Sequence, residues 1–394
     1  MSNSPDESPF NGLPFFSDLA RAMAGQGPLQ WDVARQVAMM TATGGTNTES
    51  NVDPAARVAL ERLLPIAEMH VRNATGFAAS TASPAGLTVV NRTQWTHHTL
   101  EAYKPLFTDL AASLGSTHNA SVDETVDGDD QMTSMLAALN KMMAPAMMGM
   151  SIGTMIGQLA LRAFGQYDLP VPRPGTRQLL CVAPNIDSFA SDWSIDVDDM
   201  RMWVLVHELA THTVYEGEHV RTAIADALSR YVAGFRPNPH ALMDRLTNLD
   251  MGDADPMSMM QKFLTDPAIL LGAVRSPEQE AQAPVLDALI AAIIGTVDHV
   301  VDTVSAALLG GGSRITEAVR RRRIEATPQD TFVEQLLGLK LSGDQVKRGH
   351  DFVSGVIERA GDDGLARMFA RPGNLPTPNE LDAPGLWLAR TDYD

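Results

Sequence analysis

"LVHELATHTVYEGEHV", residues 205–220, opens on His207-Glu208 and places its next histidine one residue late. On an α-helix each residue turns about 100°, so positions four apart diverge by about 40° and two histidines there can grip one metal ion. A His-Glu-x-x-His helix uses that spacing to bind zinc, with the glutamate placed to take a proton from metal-bound water. Here Leu209, Ala210 and Thr211 intervene before His212. Positions five apart diverge by about 140°, so His207 and His212 cannot share an ion on a regular helix. A one-residue π-bulge would bring them to one side. A second pattern needs no bulge. Glu208, His212, Glu216 and His219 fall within about an 80° stripe of a regular helix. That stripe reads either as acid–base or metal-holding groups or as a solvated face. The apolar run "MWVLV" (202–206) just ahead describes a helix that leaves the core and turns polar, as the floor of a cleft would.

Composition narrows the partners. The chain has 394 residues, 44% of them apolar, enough for one large domain or two to three of average size. Its net charge of −18 repels a phosphate backbone, so nucleic acid is not an expected partner. The run Arg320–Arg323 wraps around a helix and reads as solvated or acid-paired. The single cysteine, Cys181, lies in the apolar run "RQLLCVAPNI" (177–186) and reads as a small buried hydrophobe. One cysteine forms no internal disulfide, and the first residues, "MSNSPDESPFNG", show no basic or apolar leader. A cytoplasmic location is the expectation. "MMAPAMMGMSIGTMIGQLAL" (142–161) has the length of a membrane span, yet it holds Pro145, Ser151, Thr154 and Gln158. It is expected to be a buried central helix, not a membrane span. Gly149, Gly153 and Gly157 share one face of it, which lets a neighbouring helix come close.

The expected organisation is mainly α with minor β-structure. Residues 1–12 read as a disordered tail and 13–394 as a single domain. Its parts are a helical segment 13–115, an acidic loop 116–130, a core 131–310 bearing the histidine helix, and a helical C-terminal part 311–394. Asp53-Pro54 marks a helix start, and Asp196 or Asp198 caps the helix that carries His207. Pro105 is expected to kink or split the helix that begins near Asn91. One long helical stretch is expected from about 187 to 235, after a short strand near Cys181.

"VAPNIDSFASDWSIDVDDMRMWVLVHELATHTVYEGEHV" (182–220) resembles a bacterial zincin-like family. Its members are described as zinc-dependent metallopeptidases, or as hydrolases associated with deazaflavin-coenzyme biosynthesis. "GLPFFSDLARAMAGQGPLQWDVARQVA", "RTQWTHHTLEAY", "TFVEQLLGLKLSGDQVKRGHDFVSGV" and "NLPTPNELDAPGLWL" extend the resemblance over most of the chain. It implies a zincin-like fold, a zinc cofactor, a peptide or protein substrate, and a site of two histidines on one helix and a glutamate on a later one. His207 then matches the first ligand and Glu208 the general base. Thr211 stands where the second histidine belongs, and Ile294 where the later glutamate belongs, beside Gly295. Asp298 matches an acidic position that supports a ligand. Substitute ligands would be His212, through a bulge, and His299, itself five residues beyond Ile294. Three readings stay open. One is a zinc hydrolase with the ligands His207, His212 and His299 and Glu208 as base. The second is a zincin-fold protein without catalytic metal that binds a peptide or protein partner. The third is another hydrolytic chemistry run by the Glu208, His212 and Glu216 stripe. Nothing in the residues themselves points to a deazaflavin site.

Overall fold

The computed structural model describes residues 27–46, 48–75, 86–123, 131–174, 178–235, 276–309, 312–324, 336–339 and 343–393. The expected tail 1–12 lies outside them. The fold is mostly helical with one small sheet.

Helix α1 (Trp31–Ala42) lies along α5 (Gln131–Ala160). The glycine stripe decides this seam. A Cβ on Gly153 would sit 2.5 Å from the Ala34 carbonyl oxygen, and Gly149 and Gly157 meet the α1 backbone at 2.6 and 2.7 Å. Only glycine permits helix backbones so close. The methionine-rich helix is thus spent on packing, and Ile152, Met155 and Ile156 are buried.

Helix α2 (Pro54–Thr75) starts as expected, with the Asp53 carboxylate accepting the Ala55 N–H at 2.9 Å. Strand β1 (Gly86–Val90) corrects the reading of 13–115 as helical throughout. Its β-branched run Thr88-Val89-Val90 pairs in parallel with β2 (Gln178–Val182), Gly86 opposite Gln178 and Val90 opposite Val182. Helices α3 (Arg92–Ala102) and α4 (Lys104–Asp123) divide just before Pro105, which has no N–H to continue α3. The first of them opens on a capping box between Asn91 and Gln94. The expected acidic loop 116–130 is corrected over its first part, because α4 runs on to Asp123; residues 124–130 lie outside the described residues. Its first turns are anchored by Phe107, Leu110 and Ala111, and each further helical residue adds a hydrogen bond without a new nucleus.

The long helical stretch after β2 is three helices: α6 (Ala183–Asp192), α7 (Val197–Val214) and α8 (Glu218–Ala233). Ser194 breaks the first junction at φ 51°, and Gly217 caps the second. Asp196 is the cap of α7; its carboxylate accepts the N–H groups of Asp198 and Asp199. Helix α9 (Pro277–Leu308) is long and apolar enough to span a membrane, and 78% of its apolar window is buried in the molecule. It is packed by α2, α7, α8, α10 (Gly312–Ile324) and α11 (Gly343–Ala366). Against α11 the backbones nearly touch: a Cβ on Gly295 would lie 2.3 Å from the Gly349 carbonyl oxygen. A second core cluster, with Phe352, Met368 and Trp387, joins α9 and α11 to the short α12 (Pro378–Leu381) and to α13 (Pro384–Tyr393).

Candidate functional site

The cleft lies where the sequence places it, at the turn of α7 that leaves the core. Trp203, His207, Glu208 and Thr211 line it from α7, and Ile293, Ile294, Val297 and Asp298 from α9. Residues of 162–170, two residues of α10 and Val346 of α11 complete the wall around about 960 Å³ of space, its solvent mouth included. The lining is mixed: aromatic and aliphatic side chains stand beside Arg162, Asp168, His207, Glu208, Asp298 and Arg322.

Helix α7 keeps α-helical geometry through the motif. The Thr211 hydroxyl donates to the His207 carbonyl at 2.9 Å, and Thr213 does the same to Leu209 at 2.8 Å. The π-bulge that would align His207 with His212 is not there. The helical stripe of Glu208, His212, Glu216 and His219 also ends early, because α7 stops at Val214 and His219 belongs to α8.

Each expected site residue has a definite place. The His207 ring stacks on Trp203, with centroids 5.5 Å apart and planes 12° from parallel, and its Nδ1 lies 3.4 Å from Glu208 Oε1. Glu208 is 1% exposed. Its Oε2 accepts the backbone N–H of Gln166 at 2.7 Å and of Tyr167 at 3.0 Å. The carboxylate therefore docks residues 165–167 onto α7. Gly165 makes the approach possible: a Cβ there would sit 2.3 Å from Glu208 Cδ. The Gly165 carbonyl in turn accepts from Trp95 Nε1 at 2.7 Å.

His212 turns to the far side of this segment, its Nδ1 3.0 Å from the Tyr167 hydroxyl. Burial, and then the charge of Glu208, push the Tyr167 hydroxyl far up, so it stays protonated beside the imidazole. His299 meets Asp362 of α11 at 3.3 Å from Nε2 and is partly exposed. Burial, and then Glu208, raise the Cys181 thiol well above its ordinary value, which leaves it protonated.

The residues present do not fit a zinc ion. Among the described residues, no three or more His, Cys, Asp or Glu side chains gather closely enough to hold a metal. His207 faces the cleft, His212 is engaged by Tyr167, and His299 is engaged by Asp362. The ligand set His207, His212 and His299 is not brought together, because on unbulged helices the late histidines point away from the cleft.

Sequence reading missed two groups. The segment 165–167 offers backbone N–H donors, which leave no side-chain signature. Arg162 and Arg322 line the cleft, whereas the arginine run reads as solvated. The Arg322 guanidinium stacks 4.0 Å over the Phe164 ring, and Arg322 donates to the Arg162 carbonyl. Its neighbour Arg320 fits the bland expectation, pairing with Asp302 at 2.9 Å.

The sequence profile of the zincin-like metallopeptidases matches residues 29–388. The chain belongs to that family. The family's described span takes in the cleft, α7 and α9 alike. Among solved structures, a crystal structure from Chloroflexus aurantiacus, described as a "putative hydrolase with a novel fold", superposes with a TM-score of 0.56. It is 23% identical over 93% of this chain and 99% of its own, a likeness of fold. No curated relative matches the chain.

Proposed function

We propose that this zincin-like protein keeps its family's cleft and binds a peptide or protein segment there without a catalytic zinc ion. The observation that carries the reading is the state of the motif. Thr211 and Ile294 line the cleft at the two places where the family resemblance puts ligands, and the motif glutamate is committed to the backbone of 166–167. A base must reach the proton it removes; Glu208 is buried to 1% and offers its remaining oxygen to His207. Phe164, Trp203, Ile293 and Val297 supply apolar surface for side chains, and His207 and the cleft arginines supply polar contacts.

Metal content of untagged protein, purified without added zinc, tests this directly. The expected result is far less than one zinc per chain and a melting temperature unmoved by added zinc. About one zinc per chain, lost in His207→Ala, would restore the zinc-hydrolase reading. Tryptophan fluorescence then reads binding from a peptide library, with Trp203→Phe as the control. A saturable signal that survives in Trp203→Phe would place the peptide elsewhere.

A further inference from the structure

Outside the lining of the cleft lies a buried charge that the cleft does not use. Arg173 is 5% exposed. Its guanidinium rests against the rings of Trp95 and Tyr103, at 5.6 and 5.5 Å from their centroids, and Nη2 donates to the Thr99 hydroxyl at 2.7 Å. Trp95, Thr99 and Tyr103 recur every fourth residue of α3, so they form one continuous platform under the planar group. Nε is buried and has no hydrogen-bond partner, and among the described residues no carboxylate pairs with Arg173.

A guanidinium in this setting is costly. Burial removes its hydration, and a neutral hydroxyl and two ring faces return only part of that energy. The charged groups around it make matters worse. His97 and His98 sit on the exposed side of the same helix with their rings 5.9 Å apart. The His98 imidazole is lowered by burial first, then by the charges of His97 and Arg173. The carboxylate that acts on the same tyrosines, Glu208, is committed to the amides of 166 and 167. In a chain of net charge −18, three basic groups thus gather at α3, and the acid on that helix, Glu101, is paired with Arg35 at 3.1 Å.

We propose that Arg173, Thr99 and His98 form a binding site for a small oxyanion, a phosphate or carboxylate group, separate from the cleft. Arg173 supplies the fixed charge at the buried end of the site. The Thr99 hydroxyl and the aromatic platform fix its plane, and His98 stands at the rim. A planar fork with one donor already anchored is the geometry with which arginine reads oxyanions.

The test is titration of the whole protein with sodium phosphate, and separately with sodium acetate, at constant pH and ionic strength. The His98 ring C–H resonance is followed, assigned with His98→Asn. A saturating shift with one anion is expected, at least tenfold weaker in affinity in Arg173→Lys. Saturation by phosphate alone assigns a phosphate group, and saturation by acetate alone a carboxylate. His98→Asn, an exposed change, serves if Arg173→Lys does not fold; calorimetry should then show at least threefold weaker binding. A shift that never saturates, or affinity equal in the wild type and both variants, overturns the site.

Discussion

Glu208 and Arg173 are both buried charges, and both lie close enough to Tyr103 and Tyr167 to act on their hydroxyls. Glu208 is saturated: two backbone amides reach one oxygen and His207 sits beside the other. Arg173 is not: its partners are neutral, the hydroxyls of Thr99 and Tyr103 and two ring faces, and its Nε is an orphan. The difference separates a charge that builds the fold from one that retains binding capacity. It also reassigns the motif. The glutamate that a metallopeptidase would spend on water is spent here on holding the wall of the cleft.

The comparison breaks most visibly at Glu208. Glu208→Leu leaves the amides of 166 and 167 buried without an acceptor, at a cost of about 4 kcal/mol in urea denaturation. A loss below about 1 kcal/mol would show that the carboxylate is not an anchor. Gly165→Ala attacks the same contact from the other side. Its Cβ would collide with the glutamate carbon, and a loss of about 3 kcal/mol is expected. The double variant should cost little more than Glu208→Leu alone, because the two changes break one contact. Arg173→Met, by contrast, should stay within about 1 kcal/mol of the wild type, since removing an uncompensated buried charge offsets the lost stacking. If Arg173→Met costs as much as Glu208→Leu, the two charges are alike and the contrast fails.

Glu380 supplies the reference case, a buried carboxylate with a cationic partner. Arg390 donates to it from Nε and Nη2, and Thr377 from its backbone and hydroxyl. Burial alone would raise this carboxyl, but the bonds from Arg390 and Thr377 outweigh it and hold it below its ordinary value. A depressed carboxylate stabilises the fold above its ordinary pKa, and that contribution is lost as the pH falls through the lowered one. Stability measured from pH 6 down to pH 3 should therefore fall less steeply in Glu380→Gln than in the wild type. This is the smallest of the expected effects.

Much of the fold is legible in the residues. The glycine stripe foretells the α1–α5 seam, Asp53-Pro54 and Asp196 foretell helix starts, and Pro105 foretells a break. What escapes reading is what depends on distant backbone. Strand β1 is five residues whose partner lies beyond α5, and Ser194 breaks a helix without being a glycine or proline. At the site, the spacing of His207 and His212 asks for a bulge that α7 does not make. The fate of Glu208 stays hidden, because its partners are main-chain amides some forty residues earlier, and amides look the same under every side chain. Arg173 is half legible: the four-residue spacing of Trp95, Thr99 and Tyr103 marks a platform, but nothing in "PVPRPG" names its occupant.

The parallel pair of strands carries a consequence for synthesis. β1 ends at Val90, and its partner residues begin at Gln178. A chain leaving the ribosome must expose the apolar edge of β1, and the half-seam of α1, until α5 and β2 have emerged. Pairings of such long range are slow to form and vulnerable while they wait. The N-terminal third is thus the stretch of this protein that most needs shelter during translation, and truncation anywhere before residue 182 leaves it without a fold to join.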